Sequence, residues 1–538
     1  MIDNPRWWGW GDAGIGYPAE KTRQVLRYLQ GELGFPQQAP SPPPRLEQAR
    51  LEAPARAIVE SLTEALGAER VQTGDLTRLA HCAGKSYRDL IRVRSSQLPP
   101  LPQAVVLPGS ADEVAEVLKL AARLELAVVP FGGGTSVVGG VEGPSDRPFI
   151  TLDLQHLKRC LDFDPVSRTA TFEAGIFGPQ LEAILRQRGF LLGHYPQSFE
   201  FSTLGGWVAT RSAGQNSTRY GKIENMVQSL RATCPGGSYR SLHVPACASG
   251  PDLLRVMVGS EGTLGVITDA TVRIHPLPSE SLWQAVFFPE FEAAVEGLRQ
   301  MVHSDLWPAV SRLSDPMETR FLLAIQTPGG WGPVDLLKRL VMGRLRGYPR
   351  GSLLILSWEG EHASSDARRA GAILARADGR SLGGGPARAW ERSRFQMPYL
   401  RDDLLSERIM VEALETCTVW SNLIPLYWKL RNALEETLGT PARVCTHLSH
   451  LYPDGASLYV TFLVPQQVGA EMEQWRRAKD VAGAVISSMG ATISHHHGVG
   501  VDHTPWLDAE HGAVGMGMLR ALKQELDPQR LLNPGKLV

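Results

Sequence analysis

Apolar and polar positions change their period along the chain, and those changes divide it into blocks. From Pro102, the short apolar run AVVLP (104–108) is followed by SADEVAEVLKLAARLEL (110–126), with apolar positions at helical spacing, and then by AVVPFGGG. Ser110 with acidic residues behind it marks a helix start, because its hydroxyl can accept from a first-turn N–H and the acids sit at the positive end of the helix dipole. The block therefore reads as strand, helix, strand and glycine turn. FITLDL (149–154), TATFEAG (169–175), LRATCPGG (230–237) and the end of VGSEGTLGVITDATVRI (258–274) predict further strands, and PQLEAILRQRG (179–189) predicts a helix closed by Gly189. A second block begins at 282. SLWQAVFFPEFEAAVEGLRQMV reads as strand then helix, SLLILSWEG (352–360) as a strand, SSDARRAGAILARADG (364–379) as a helix, and ASLYVTFLVP (456–465) as a half-buried strand by its alternation. This succession predicts a sheet with helices on one face. GGGPAR (383–388) reads as a loop, and 470–538 as helical with GVGVDHT as an interruption.

Residues 20–33 and 45–66 predict helices. Between them PQQAPSPPP (36–44) is restricted by proline to an extended strap. The resulting organisation is α+β: an N-terminal helical and strap segment (1–96), two mixed units (97–279 and 280–490) and a C-terminal segment (491–538). A chain of 538 residues fits two or three large domains.

Composition removes several function classes. With 43% hydrophobic and 21% charged residues the chain is globular rather than disordered or fibrous. A net charge of -1 supplies no field for nucleic acid. The N-terminus MIDNPRWWGWGDAG lacks the basic and apolar regions of a signal peptide, no apolar run reaches the ~18 residues of a membrane span, and the terminal KLV is not a peroxisomal address. The expectation is a cytoplasmic protein with reduced cysteines and no bound metal, since no Cys/His spacing suits structural zinc. A homodimer and a peripheral membrane contact are left open, and the aromatic N-terminus is read as packing on the body of the protein.

Three stretches carry candidate chemistry. Pro130, Phe131, Gly132, Gly133, Gly134, Thr135 and Ser136 follow a strand with bare backbone N–H groups and two hydroxyls, a donor-rich turn suited to an anion. FEFSTLGGWVATRSAGQNSTRYGKIEN (199–225) and VGSEGTLGVITDATVRI (258–274) are similarly rich in Gly, Ser and Thr. Three such loops point to one long ligand carrying a diphosphate. No G-x-x-x-x-G-K-[ST] occurs and no G-x-G-x-x-G opens a helix, which argues against a Walker loop and a nicotinamide Rossmann site.

PFGGGTSVVGG, the Ser/Thr/Gly stretch and GSEGTLGVIT resemble the PCMH-type FAD-binding domain of the vanillyl-alcohol-oxidase superfamily. RWWGWGD (6–12), SRLSD (311–315), YLRDDLL (399–405), YPDGASLYVTF (452–462), SHHHGVG (494–500) and LDPQRLLNPGK (526–536) are similar to its alkyldihydroxyacetonephosphate synthase branch, the ether-lipid flavoenzymes. The resemblance runs the length of the chain. It implies a two-subdomain FAD domain followed by an α+β cap, with NPGK returning to the FAD domain. It also implies FAD as cofactor, held by 130–136, His194, Gln197, Ser198, Ser202, Thr203, Gly206, Thr210, Arg211, Ser212, Ala213, Glu261, Gly262, Thr263, Leu264, Gly265, Val266 and Ile267. The implied reaction exchanges the acyl chain of acyl-dihydroxyacetone phosphate (acyl-DHAP) for a fatty alcohol through attachment to flavin N5, with no net redox. By the same resemblance Tyr459, His495, His496, His497 and Arg401 are the catalytic candidates, and Arg401, Arg312 and His447 would hold a phosphate-bearing lipid substrate. A phenol titrates near pH ~10, so Tyr459 needs nearby positive charge to act as a base. In one respect the chain departs from the pattern: where the eukaryotic enzymes carry an arginine shortly before the tyrosine strand, this chain reads THLSHLYPDG, with His447 and His450. A histidine there equally suits an FAD-linked oxidation of an alcohol or 2-hydroxy acid, which stands as the alternative activity. A flavin-fold scaffold without turnover is the third reading.

Overall fold

A computed structural model of the chain describes residues 5–326 and 340–538, apart from Arg50, Ser96, Met342 and Arg346. Strands Val105–Val106, Phe149–Asp153 and Ala127–Phe131 lie parallel in that spatial order, with Val71–Gln72 antiparallel at the edge. The crossover helix Ala111–Arg123 starts where the sequence places it: Ser110 Oγ accepts from Glu113 N at 3.1 Å. Its buried face, Val114, Val117, Leu118 and Ala121, packs into the first core, each larger side chain contributing about 1.5–3 kcal/mol of burial. A five-stranded antiparallel sheet follows, ordered Cys160–Asp164, Thr169–Glu173, Val266–Arg273, Val227–Cys234, Gly237–Arg240. The C-terminal segment returns to the first sheet. Val128 N donates to Leu531 O at 2.8 Å, and Asn533 N donates to Val128 O at 2.9 Å.

The second block is built on a seven-stranded, wholly antiparallel sheet. Its order is Arg380–Gly383, Ser281–Phe288, Ser352–Glu359, Val310–Ser314, Arg443–Leu451, Gly455–Pro465, Ile409–Val419. Four of these strands escape the sequence reading. Arg443–Leu451 and Ile409–Val419 carry polar residues on a face that is buried against a cavity, so their alternation does not look like that of a water-facing strand. Helices cover both faces rather than one. Phe291–Val302, Ala363–Arg376, Trp420–Leu438 and Glu471–Ser488 pack on one side. Gly385–Ser393, Pro316–Gln326 and Met397–Ser406 pack on the other. GGGPAR is therefore not a loop: it ends the edge strand and starts helix Gly385–Ser393, with Pro386 in the first turn, where its missing N–H costs nothing. Residues 45–66 are not one helix either. A short 3-10 turn, Leu46–Gln48, is separated from helix Arg56–Leu66 by a stretch containing Pro54. All six cysteines are unpaired.

The N-terminal tryptophans pack on the body, as expected. Trp7 and Trp10 are buried, Trp10 N donates to Asp402 Oδ2 at 2.6 Å, and Arg6 pairs with Asp402 while lying over the Trp8 and Tyr399 rings. This motif is thereby fastened to helix Met397–Ser406, itself one wall of the site.

Candidate active site

The period-2 alternation of the seven-stranded sheet decides which side chains face one another. On Gly455–Pro465, Leu458, Val460, Phe462 and Val464 enter the helix-covered core, while Tyr459, Thr461 and Leu463 face a cavity. On Arg443–Leu451, Val444 and Leu448 go to the core, and Cys445, His447 and Ser449 to the cavity. A one-residue bulge between Ser449 and Leu451 then turns His450, at φ 51°, toward the same space. Arg312 arrives from the neighbouring strand.

The cavity, about 460 Å³, lies between this sheet face and the glycine-rich loops of the first block. His447 stacks on Tyr459 with ring centroids 4.8 Å apart. Its Nδ1 is 3.1 Å from Glu318 Oε1, and its Nε2 is 3.1 Å from Arg312 Nη1; Arg312 Nη2 also donates to Glu318, at 2.8 Å. Burial opposes ionisation of Glu318, but Arg312 and His447 hold its carboxyl down to about 2. Burial and Arg312 in turn lower His447, so the arginine is the charged donor to it. Arg401 reaches the cavity from helix Met397–Ser406. Its Nη1 donates to Lys85 O at 2.7 Å, while Nε and Nη2 are buried without a partner.

The histidine run is a loop clamped by two carboxylates. Glu415 accepts from His495 N at 2.6 Å, His496 N at 3.0 Å, His497 N at 2.8 Å and Ser494 Oγ at 2.9 Å. Glu261 accepts from Val499 N and from Gly500 N at 2.8 Å. Burial opposes the Glu415 charge, but the histidines and the His496 N–H hold its carboxyl well below the usual range. Burial likewise lowers His495, His496 and His497, which stand neutral. His496 and His497 line the cavity, with ring centroids 6.1 and 5.5 Å from that of Tyr459. Tyr459 is pushed above its ordinary value by burial, then by Glu415 and Glu412, against the opposing charges of Arg312 and Arg401. The positive charge that a basic Tyr459 would need is present in Arg312 and Arg401. Burial outweighs the two arginines, and Tyr459 stands as a phenol.

Residues 102–243 match the FAD binding domain family, and residues 277–537 match the FAD linked oxidases, C-terminal domain family. The chain is 35% identical over 480 residues to an alkyldihydroxyacetonephosphate synthase from Dictyostelium discoideum, covering 87% of this chain and 79% of that one. It is 32% identical over 565 residues to the Trypanosoma brucei brucei protein of the same name, covering 99% of this chain and 92% of the relative. A solved structure of alkyldihydroxyacetonephosphate synthase superposes with a TM-score of 0.86 at 30% identity, covering 99% of both chains. The chain belongs to the alkyldihydroxyacetonephosphate synthase-like FAD enzymes.

The cavity fits the cofactor of that family. A Cβ on Gly133 would lie 1.6 Å from Phe201 O, and one on Gly132 2.2 Å from Thr203 Oγ1, so the loop backbone is bare on the cavity side because nothing larger can be built. Gly134 adopts φ 63°, which favours glycine. Ser136 Oγ accepts from Gly140 N at 2.9 Å, and Asn533 Nδ2 donates to Gly140 O and Glu261 O, so the C-terminal NPGK ties the loops together. Pro130 to Ser136, Gln197, Ser198, Ser202, Thr203, Gly206, Thr210, Ser212, Ala213, Glu261, Gly262, Gly265 and Ile267 all line this space.

Six residues anticipated at the site do not reach the cavity. His194 is fully buried behind it, stacked on Trp207 with Nε2 3.1 Å from Ser212 Oγ, and burial lowers it to about 3. Arg211 is left-handed at a helix end, and its side chain turns outward to Glu224. Thr263 Oγ1 closes its own turn on Ser260 O. Leu264 is in the first core, as is Val266, because strand alternation gives the cavity to Ile267. His495 lies one layer behind His496. Conversely, Glu415, Glu318 and Lys222 were not anticipated. Glu415 and Glu318 are charged residues in otherwise ordinary segments, Lys222 lies near the end of the Ser/Thr/Gly stretch 199–225, and only the fold shows that each is buried. His450, His495 and His496 also place ring nitrogens within 4.8 Å of one another. No helix among the described residues is long and apolar enough to cross a membrane.

Proposed function

We propose that the protein exchanges the acyl chain of acyl-DHAP for a fatty alcohol, as the name of its relatives implies. The observation that carries this reading is the combination of groups lining one cavity. Glycine-rich loops lie on one wall and the half-unpartnered guanidinium of Arg401 on another. An apolar part of the lining is formed by one cluster, Phe321, Leu322, Ile325, Leu400, Leu404, Val411 and Leu463. An anion, a reacting carbon and a long chain each find suitable groups in this lining.

Bound FAD would supply an electron sink for the reacting carbon. The remaining work belongs to side chains. Arg401 offers two free N–H donors to the substrate phosphate, a geometry that matches phosphate oxygens. Neutral His496 or His497 takes the C1 proton, since a buried imidazole held in its neutral form keeps an accepting lone pair. Tyr459, a phenol in this site, donates a hydrogen bond to the departing carboxylate. The apolar lining holds the acyl chain, then the alcohol, and excludes water that would otherwise compete as nucleophile.

The test is an anaerobic absorbance record of the FAD-loaded protein with acyl-DHAP alone. Bleaching of the long-wavelength flavin band with release of fatty acid supports the exchange. A second reading, oxidation of an alcohol or 2-hydroxy acid, draws on His447, which stands lowered beside Tyr459 where the exchange pattern has an arginine. Bleaching by a hydroxy acid, with acyl-DHAP inert, would replace the first reading by the second.

A further inference from the structure

Behind the cavity-facing His496 runs a line of groups that the proposed chemistry leaves unused. His496 Nδ1 lies 2.9 Å from His495 Nδ1, and the other nitrogen of His495, Nε2, lies 2.5 Å from Tyr452 Oη. His496 lines the cavity, His495 is buried and does not, and Tyr452 is half-buried immediately before the exposed Pro453 and Asp454. Both ring nitrogens of His495 are thus committed, one inward and one outward. Because Glu415 holds this loop through backbone N–H groups, the ring nitrogens are left free to form the line.

We propose that His496, His495 and Tyr452 form a proton wire from the cavity to solvent, with Tyr452 as its outer relay residue. This rests on the exchange reading, in which a proton taken from C1 has to reach solvent and later be replaced.

The transfer balances. In the accepting state His496 carries its proton on Nδ1, shared toward His495 Nδ1, and His495 carries its own on Nε2, shared toward Tyr452 Oη. His496 Nε2 takes the substrate proton, and the electron pair of the broken C–H bond stays with the substrate carbon. The His496 Nδ1 proton passes to His495 Nδ1, the His495 Nε2 proton passes to Tyr452 Oη, and the original phenolic proton passes to water. Each ring gains one proton and loses one, so both end neutral with their tautomers reversed, and the return transfer resets them. Glu415 Oε2, 3.5 Å from His496 Nδ1, favours positive charge during passage.

A metal centre is the competing use of these rings, and the geometry disfavours it. Two imidazoles on a tetrahedral ion at ~2.0–2.1 Å have nitrogens roughly 3.3 Å apart, whereas 2.9 Å between His495 and His496 is a shared-proton distance. The His450 and His495 rings are stacked at 25°, so their in-plane lone pairs run side by side instead of converging. Lys222 Nζ, which donates to His495 O, adds positive charge beside them.

The test uses the FAD-loaded protein and Tyr452→Phe, which keeps the ring and removes only the hydroxyl. Proton NMR of the wild type should show a strongly low-field exchangeable resonance from the Tyr452 to His495 bond, absent in the variant. Addition of zinc should leave it in place. With acyl-DHAP, proton release to water followed by an indicator dye should slow roughly tenfold in the variant at unchanged KM, and imidazole in the buffer should restore it. Tyr452→His, which can also relay, should stay near the wild-type rate. A resonance that survives Tyr452→Phe, one displaced by zinc, or proton release at the wild-type rate in the variant overturns the wire. If acyl-DHAP does not react with the wild type at all, the exchange reading fails, and the NMR comparison alone decides the wire.

Discussion

Removing the charge of Glu415 should release the histidine loop while leaving the sheet intact. Glu415 is buried on strand Ile409–Val419 and accepts four hydrogen bonds, three from consecutive backbone N–H groups of the loop. Glu415→Gln keeps the shape. Its amide oxygen, placed at Oε1, retains Ser494 Oγ and the His496 and His497 N–H groups, but the NH2 then faces the His495 N–H donor at the old Oε2 position. One charge-assisted bond is lost, a buried donor is left unpaired, and the other three lose their ionic component. A hydrogen bond to a charged group contributes about 1.5–3 kcal/mol and an unpaired buried donor costs about 1–3 kcal/mol, so roughly 3–4 kcal/mol is the expected loss. The loop's remaining ties are few and local, chiefly Glu261 to Val499 N and Gly500 N, Lys222 to His495 O and Tyr452 to His495 Nε2, so the loss should appear as local opening. At about 1.4 kcal/mol per decade, amide hydrogen exchange across 494–500 should accelerate by more than about a hundredfold in the FAD-loaded variant, with the amides of Gly455–Pro465 unchanged. Exchange within about threefold of wild type would refute the clamp, and equal acceleration in both segments would show global rather than local loosening.

Three further outcomes follow from the same geometry. Gly133→Ala should yield protein without flavin absorbance, because its Cβ would lie 1.6 Å from Phe201 O, a backbone atom that cannot step aside. Arg401→Met should raise KM for acyl-DHAP by roughly ten- to a hundredfold, since two donors without protein partners are lost, and the saturating rate should fall much less. Acidification should destabilise the protein from about pH 6.5 downward. Burial lowers His194, His450 and His503 to about 3 in the folded state, so in this range the unfolded chain binds more protons. Their full contribution is present above the unfolded value and is lost as pH falls toward the folded one, at about 1.4 kcal/mol per group and pH unit. Urea midpoints at pH 7.5 and 5.5 check the sign.

Much of this protein is written locally. The crossover helix from Ser110, the glycine turn at 132–134 and the alternation through Tyr459 follow from neighbours along the chain, because capping, left-handed φ and strand faces are short-range properties. The motifs at 399–405 and 494–500 likewise carried the family, and with it the cofactor. Tertiary structure decided what each group became. As isolated residues near neutral pH Tyr459 is a phenol and Glu415 a carboxylate, and a buried site could reverse either one. The packing of one sheet face against the glycine loops leaves the first a phenol and, through the histidines and their backbone N–H groups brought from 80 residues away, keeps the second ionised. It separated His496, facing the cavity, from His495, one layer behind, though the two are adjacent in sequence. Desolvation and long-range hydrogen bonding set protonation, and neither exists until distant segments are brought together.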